Sequence, residues 1–298
     1  MKVLITGHKG FVGRHFVKYF EERGDEIVGV DIKDGLDCRE FFKTCYEKFD
    51  LVVHLAAIVG GREMIENEPL AVATDLSIDS EMFNWAVRTG QKKIVYYSSS
   101  AAYPIKYQKK NSEIKMREDF INLDDISNPD FTYGWAKLTG ELLAEFAKKQ
   151  GLSVYIFRPF SGFGEDQDLT YPMPSFINRT INKVEEFEIW GDGSQVRDFI
   201  YIDDIVNATM KAVELDIQEP VNLGNGIPIS FNEVAEKLFE ITGWRPSKGI
   251  KHLTEKPIGV MYRCGDCTKM KEFYTPKYDL DSALRRILSL HGWNTQED

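Results

Sequence analysis

The first 31 residues are the part of the chain that most restricts its fold. Lys2–Thr6 is a short apolar strand that ends at a glycine-rich turn, Gly7–Gly13, with the sequence GHKGFVG. A helical pattern follows over Arg14–Arg23, and a second apolar strand over Glu26–Val30 leads to Asp31. Glycines at this spacing let the backbone approach a pyrophosphate, and free N–H groups at the start of a helix stabilise its charge. The segment is therefore predicted to be a strand–turn–helix–strand unit that binds a dinucleotide.

The acid at the end of the second strand indicates which dinucleotide is bound. An acidic residue about 20 positions after the glycines accepts hydrogen bonds from the ribose hydroxyls of adenosine. Asp31 would repel the 2'-phosphate of NADP, so NAD is the expected cofactor, although Lys9 would weaken this preference. The cofactor contacts predicted in this segment are Gly7, Lys9, Gly10, Phe11, Val12, Gly13, Asp31 and Ile32.

Composition restricts the partners. The formal net charge of −10 argues against nucleic acid, because a polyanion would be repelled. No apolar run approaches the roughly 20 residues that span a bilayer, so no membrane partner is expected and the location is predicted to be cytoplasmic. Cys264 and Cys267 form a C-x-x-C without a second pair or a histidine cluster, so no metal site is predicted and buried thiols are expected.

Apolar strands and helical patterns alternate through the first half of the chain. Phe49–Leu55 and Ile94–Tyr97 are continuous apolar runs of the kind found in buried parallel strands, and Ser153–Arg158 is a third. A long helix is predicted over Pro69–Gly90 between the first two. This alternation predicts an α/β fold, a doubly wound parallel sheet with helices on both faces. The serine run at 98–100 ends one strand and would face the ligand crevice.

Tyr133 and Lys137 are the pair of residues that suggests chemistry. They are four residues apart in a helical pattern over residues 133–150, so their side chains would share one face about 6 Å apart along the axis. A nearby ammonium stabilises a phenolate and is expected to lower the pKa of Tyr133 from about 10. Tyr133 would then serve as a general acid or base near neutrality.

Together, the Y-x-x-x-K pair, the glycine-rich loop and the serine run resemble the extended short-chain dehydrogenase/reductase family, the NAD-dependent nucleotide-sugar epimerases and dehydratases. The resemblance implies a Rossmann-type sheet and a catalytic set of Ser99, Tyr133 and Lys137, with Ser100 as the alternative serine. It places Leu36 and Asp37 beside the adenine, and a Pro159–Gly164 loop under the nicotinamide. The further cofactor contacts that it implies are Leu55, Ala56, Ala57, Tyr97, Ser98, Tyr133, Lys137, Pro159 and Phe160.

After Gly164 the alternation of strands and helices stops, and the resemblance implies a smaller C-terminal α+β cap that binds substrate. The NAD-binding domain is expected over residues 1–161 plus 198–225, and the cap over 162–197 plus 226–298. Arg197 matches a family arginine that binds the substrate diphosphate, and Arg263 is a second candidate. The implied substrate contacts are Ser99, Ser100, Ala101, Tyr171, Arg197 and Arg263.

The motifs are most similar to those of GDP-sugar enzymes such as GDP-fucose synthase and GDP-mannose 3,5-epimerase. Those enzymes have an acid/base cysteine where Ala101 stands, and a histidine or lysine where Tyr171 stands, whereas alanine cannot transfer a proton. The Asp-Glu pair of the dehydratase branch is also missing after the serine. The remaining residues favour oxidation at carbon 4 of a nucleotide-diphosphate sugar, as a 4-epimerase or a 4-dehydrogenase.

Two alternatives stay open at this point. One is a 3,5-epimerase or dehydratase that uses an unrecognised base. The other is a non-catalytic dinucleotide sensor that has kept the fold. The apolar faces of the 69–90 and 133–150 helices exceed what one sheet face needs, and relatives pair such helices across a two-fold axis, so a homodimer is expected.

Overall fold

Six parallel strands form the central sheet of the protein, whose computed structural model describes residues 1–293. Neighbouring strands pair in parallel with continuous register, for example Val3 with Ile27 on one side and with Leu51 on the other. The strands are β1 (Lys2–Thr6), β2 (Glu26–Val30), β3 (Leu51–His54), β4 (Lys93–Tyr97), β5 (Ser153–Pro159) and β9 (Val221–Leu223).

The strand order is β2-β1-β3-β4-β5-β9, so the direction of winding reverses between β1 and β3. In an open parallel sheet, the loops on the two sides of such a reversal separate at the carboxyl ends of the strands and leave a crevice for ligand. The glycine-rich turn follows β1, and residues 55–61 follow β3. The fold therefore places these two predicted cofactor-binding segments side by side.

Helices cover both faces of the sheet. Alternate residues of β1 point to opposite faces: Val3 and Ile5 join one apolar cluster with Phe16, while Leu4 joins another with Trp85. The first cluster contains α1 (Phe11–Glu22) and α8 (Ile202–Glu214). The second face packs against α2 (Cys38–Thr44), α5 (Asp75–Thr89) and α6 (Phe131–Lys149).

The remaining elements form a smaller α+β region at the carboxyl end of the sheet. Its central strand, β8 (Val196–Tyr201), pairs with β6 (Ser161–Phe163), β10 (Pro228–Ser230) and β12 (Tyr262–Arg263). A separate two-stranded sheet joins β7 (Phe187–Trp190) to β11 (Ile250–Leu253). The helices of this region are α7 (Pro172–Ile181), α9 (Phe231–Thr242), α10 (Thr268–Lys271) and α11 (Leu280–Leu290).

The structure confirms the predicted doubly wound sheet with a smaller cap. The division into 1–161 plus 198–225 and 162–197 plus 226–298 stays a prediction, and its last five residues, 294–298, lie outside the described part. One apolar cluster runs without a break from the central sheet into α7, α9 and α11. Within residues 1–293 no helix is both long and apolar enough to cross a membrane.

Two helix predictions need correction. The first helix begins at Phe11, not at Arg14, because Gly10 already has the extended backbone of an N-cap residue. The single helix predicted over residues 69–90 is interrupted: α4 (Pro69–Val72) ends and α5 begins at Asp75. A further short helix, α3 (Arg62–Asn67), precedes α4. The break turns the carboxylate of Asp75 inward, where it accepts a hydrogen bond from the backbone N–H of Ile58 over 2.6 Å.

Candidate active site

Helix α6 carries Tyr133 and Lys137 to the carboxyl end of β4. Its first turn lies directly on the serine run because Gly134 has no side chain: a Cβ there would be 2.4 Å from the carbonyl oxygen of Ala101. The backbone N–H of Asp130 donates to that same oxygen over 2.9 Å. Gly134 is therefore a steric requirement for bringing Tyr133 to the end of β4.

Ser99, Tyr133 and Lys137 lie together and are largely buried. Ser99 interacts with the phenol of Tyr133, and its Oγ also accepts a hydrogen bond from the backbone N–H of Ala101 over 3.1 Å. The Nζ of Lys137 is 5.9 Å from the ring centre of Tyr133 and 5.6 Å from that of Tyr96. The fold thus brings together the three residues to which the resemblance assigned catalysis, and their roles stay predictions.

The pKa of Tyr133 differs from the sequence expectation. Burial raises the pKa of this phenol, and the ammonium of Lys137 opposes the rise without cancelling it, so the pKa lies above its usual value of about 10. The carboxylates of Asp75 and Asp79 act in the same direction as burial. The expectation of a lowered pKa considered only the lysine, because the helical spacing does not reveal the burial or the two acids.

Lys137 is buried beside a hydrogen-bonded carboxylate. Burial lowers the pKa of Lys137, but the charges of Asp79, Tyr133 and Asp75 outweigh it, and the pKa is raised. Asp79 accepts from the hydroxyl of Tyr96 over 2.5 Å, and its other oxygen lies 3.2 Å from Nε2 of His54. The cluster therefore keeps Lys137 as an ammonium.

The start of α1 is suited to an anion. Gly7 has a positive φ of 72°, and the turn closes with a hydrogen bond of 2.9 Å from the Gly10 N–H to the Gly7 carbonyl. A Cβ at Gly13 would lie 2.1 Å from the Gly7 oxygen, and one at Gly7 would lie 2.8 Å from the Ala56 nitrogen. The first turn of the helix carries no acidic side chain. Phe11, Val12 and Gly13 therefore present N–H groups and helix-dipole charge toward a pyrophosphate site beside Leu55, Ala56 and Ala57.

Asp31 is held at the end of β2 by two backbone N–H groups, from Lys9 over 2.8 Å and from Lys33 over 2.9 Å. Next to it, the side chains of Ile32 and Leu36 are 70% and 43% exposed, so they provide the free apolar surface that a purine ring needs. Asp37 caps α2 and accepts from the guanidinium of Arg39.

The other predicted cofactor residues lie deeper. The hydroxyl of Tyr97 is 2.7 Å from Oγ1 of Thr209, and that of Ser98 donates to Glu141, so both point into the core. Phe160 follows Pro159 at the end of β5 and packs on Tyr103 with ring centres 6.1 Å apart. Ser100 and Ala101 lie buried in the short turn after Ser99.

Two arginines pair with one carboxylate, that of Asp130, beside this cluster. Nη1 of Arg62 lies 3.0 Å from both oxygens of Asp130, and Nη2 of Arg263 donates to it over 2.7 Å. Burial raises the pKa of Asp130, but Arg263 and Arg62 outweigh it, so the pKa is lowered and the carboxylate is ionised. Arg263 also interacts electrostatically with Tyr133.

Arg197 completes this group. Its guanidinium donates to the backbone carbonyls of Val196, Val260 and Ile258 over 2.8–3.1 Å. Burial, and then the charge of Arg263, lower the pKa of Arg197 to about 9, while Asp130 opposes this. The structure thus brings Arg197 and Arg263 together, in a cluster where positive charge exceeds negative charge.

Tyr171 lies near enough to Tyr133 for the two phenols to interact electrostatically. Burial raises the pKa of its phenol above the usual value, and the nearby Tyr133 adds to the rise. The loop before it is close to the β3 loop, since a Cβ at Gly61 would be 2.6 Å from the carbonyl oxygen of Thr170. Tyr171 is therefore a neutral phenol at the site, able to donate a hydrogen bond.

The residues that the sequence did not reveal are Arg62, Asp75, Asp79 and Asp130. Asp75 and Asp79 lie within the helix predicted over residues 69–90, whereas Arg62 begins the unpredicted helix α3 and Asp130 immediately precedes α6. Their contacts come from different parts of the chain. Gly60-Gly61 before Arg62 was the available signal for a closely approaching loop. Elsewhere, Cys264 and Cys267 are buried thiols, as expected, and in residues 1–293 no group of three or more metal-ligating side chains is assembled.

Comparison with known proteins agrees with this architecture. At 29% identity, the chain is similar to dTDP-4-dehydro-6-deoxy-D-allose reductase of Streptomyces bikiniensis, over 91% of this chain and 89% of the relative. It is also 29% identical to GDP-mannose 3,5-epimerase 1 of Oryza sativa subsp. indica, over 96% of this chain and 80% of that protein.

A solved structure of UDP-glucose 4-epimerase from Thermotoga maritima, with UDP-glucose, superposes with a TM-score of 0.81 and 25% identity, covering 97% of this chain and 98% of that one. Residues 3–224 match the model of the NAD dependent epimerase/dehydratase family. The chain therefore belongs to this family of NAD-dependent enzymes that act on nucleotide sugars.

Proposed function

We propose that this enzyme oxidises a nucleotide-diphosphate sugar at carbon 4, either as a 4-epimerase or as a 4-dehydrogenase. The observation that carries the proposal is the arrangement of Ser99, Tyr133 and Lys137 in one cluster, with the arginine group of Arg197 and Arg263 beside it. A sugar hydroxyl would meet the phenol while a diphosphate meets the guanidinium groups.

The cofactor would be held by the glycine turn, the start of α1 and Asp31. When bound, NAD supplies the hydride acceptor for an alcohol carbon. Tyr133 would take the proton from the carbon-4 hydroxyl, and Ser99 would hydrogen-bond the same oxygen and orient it. Lys137, kept as an ammonium by Asp79, would stabilise the phenolate through its charge.

Carbons 3 and 5 of the sugar have no base beside them of the kind that the GDP-sugar enzymes use. Ala101 has no ionisable group. Burial, Tyr133 and Asp168 all raise the pKa of Tyr171, whereas at Tyr133 the ammonium of Lys137 opposes the rise, so Tyr171 is the poorer base of the two. We assign to Tyr171 a hydrogen bond to the sugar. Its position facing Tyr133 is the one observation that favours the second candidate, a 3,5-epimerase.

The diphosphate is assigned to Arg197 and Arg263. Among residues 1–293 the guanidinium of Arg197 donates hydrogen bonds to neutral backbone carbonyls and to no carboxylate, so an anionic ligand would gain from its charge. On the motif resemblance we favour a GDP-sugar. Thermal stabilisation of the NAD-loaded protein by GDP-, UDP- and dTDP-sugars would identify the nucleotide base, because at equal concentration a ligand that binds the native state more tightly raises the unfolding temperature further.

NAD is expected to bind more tightly than NADP, and Asp31→Ala should narrow the difference by removing the charge that repels the 2'-phosphate. Calorimetric titration of both dinucleotides into both proteins measures this. Asp125→Ala, at an exposed carboxylate, is the control. An NADP affinity equal to that for NAD in the native protein would show that Asp31 does not discriminate.

Tyr133→Phe is expected to lower the turnover rate at least about a hundredfold, the low end for a positioned acid or base, while NAD still binds. The rate is measured by reduction of NAD with the nucleotide sugar that the stabilisation screen selects. For a 4-epimerase, which returns the hydride, product is followed by chromatography.

Turnover in heavy water tests whether any group other than Tyr133 acts as an acid or base on the sugar. The enzyme should exchange no carbon-bound proton of the sugar with solvent, so carbons 3 and 5 of the product should be free of deuterium. Deuterium at carbon 5 would identify a base beyond Tyr133, with Tyr171 as the first residue to replace, and would establish the 3,5-epimerase instead.

Arg197→Ala should weaken binding of the nucleotide sugar by about 2–4 kcal/mol, as for the loss of a buried charge-assisted partner, with little change in NAD affinity. Arg245→Ala is the matched control, because that arginine pairs with Glu236 at the surface. A loss of NAD affinity with unchanged affinity for the nucleotide sugar would show that Arg197 serves the cofactor and not the substrate.

We also propose a homodimer formed through α5 and α6. Leu76 and Val87 on α5, and Trp135 and Phe146 on α6, are 39–53% exposed and lie on outward faces of adjacent helices. Solution scattering at micromolar concentration should give the dimer mass, and Phe146→Glu should reduce it to that of a monomer. Leu215→Glu, at an exposed position on the end of α8, should leave the mass unchanged. A monomeric native protein would contradict the proposal.

A further inference from the structure

Asp75 is a buried carboxylate next to the catalytic cluster with a role that no motif assigns. It begins α5 and is fully buried. One oxygen accepts from the Ile58 N–H over 2.6 Å, while the other is buried with no hydrogen-bond partner among residues 1–293. A half-satisfied buried carboxylate costs free energy, so the reason for its position lies in what it does to its neighbours.

The charges around Asp75 do not balance. The groups that face this cluster are Lys137 and Tyr133 from α6, Asp79 from α5, Tyr96 from β4 and His54 from β3. Tyr133 also interacts with Tyr171 and with Arg263, whose charge is paired with that of Asp130. One ammonium, that of Lys137, therefore faces two carboxylates. Asp79 is already satisfied by Tyr96 and His54, as described above. When Asp75 is also ionised, the cluster has an excess negative charge before Tyr133 loses its proton.

We propose that Asp75 is a positioning residue for Tyr133 and Lys137, which holds the β3 loop through Ile58 and opposes, through its charge, the ionisation of Tyr133. Because charges repel strongly in a site that excludes water, a phenolate beside the ionised Asp75 is costly. Whether Tyr133 can remove the proton of a substrate hydroxyl would therefore depend on whether Asp75 is protonated. The catalytic role of Tyr133 rests on the proposed function, but the electrostatic interaction between Asp75 and Tyr133 does not.

Substitution can separate the two parts of this role, which are the hydrogen bond to Ile58 and the negative charge near Tyr133. Asp75→Asn keeps an oxygen that can accept from Ile58 but removes the charge, whereas Asp75→Ala removes both. Both variants should lower the pH at which Tyr133 ionises, by about one pH unit. Only Asp75→Ala should also weaken NAD binding, because the loop that carries Leu55 to Ala57 loses its anchor.

The ionisation of Tyr133 is measured without substrate, by nuclear magnetic resonance of isotope-labelled tyrosine, with the Tyr133→Phe protein to assign the signal. Burial raises the pKa of Asp75 to about 6, against the attraction of Lys137, so the native Tyr133 signal should also shift with a midpoint near pH 6. In Asp75→Asn this midpoint should vanish.

The inference is wrong if Tyr133 ionises at the same pH in the native and Asp75→Asn proteins, or if the native signal lacks the midpoint near pH 6. Either result concerns only Asp75. The proposed function is tested separately, by turnover of nucleotide sugars by the native enzyme. The inference about Asp75 can therefore fail while the proposed function stands, and the reverse is also true.

Discussion

The burial of Lys137 is the constraint on which the rest of the site depends. An ammonium inside a protein is stable only when opposite charge compensates its burial, and here the carboxylate of Asp79, held in turn by Tyr96 and His54, supplies that charge. These partners come from β3, β4 and α5, so the position of one nitrogen is determined by three elements at once. Buried ion pairs contribute little net stability compared with apolar packing, and this one is better explained by what it does to Tyr133.

A second buried pair on the same helix fixes the other side of α6. Glu141, one turn after Lys137, receives both Nε and Nη2 of Arg158 at 2.9 and 2.7 Å, and these side chains are almost fully buried. The charge of Asp79 links Lys137 to α5, and the Glu141–Arg158 ion pair ties α6 to β5 of the sheet. Together with the close contact of Gly134 on Ala101, they restrict both rotation and sliding of α6, which is what a precisely placed phenol needs.

The fold was largely predictable because its signals are local. The glycine turn, the apolar strands and the acid after β2 can each be recognised from a few consecutive residues. The sheet, the cap and the family are inferred from them. The direction of the Tyr133 pKa shift was not predictable, because it is caused first by burial and then by Asp75 and Asp79, residues that are distant in sequence from Tyr133. Arg62 and Asp130 were missed for the same reason: their meeting is a property of packing between a loop after β3 and the start of α6.

The position of Asp130 has a consequence for selectivity. This carboxylate occupies the space between Arg62 and Arg263 that a small inorganic anion would otherwise enter. Phosphate or sulfate from the surroundings must compete with a group that is covalently part of the chain and is therefore present at high effective concentration. A ligand overcomes this competition only by adding contacts elsewhere, as a nucleotide and a sugar do. Asp130 also immediately precedes Phe131, the first residue of α6. A ligand that binds between Arg62 and Arg263 would therefore act at the start of the helix that carries Tyr133.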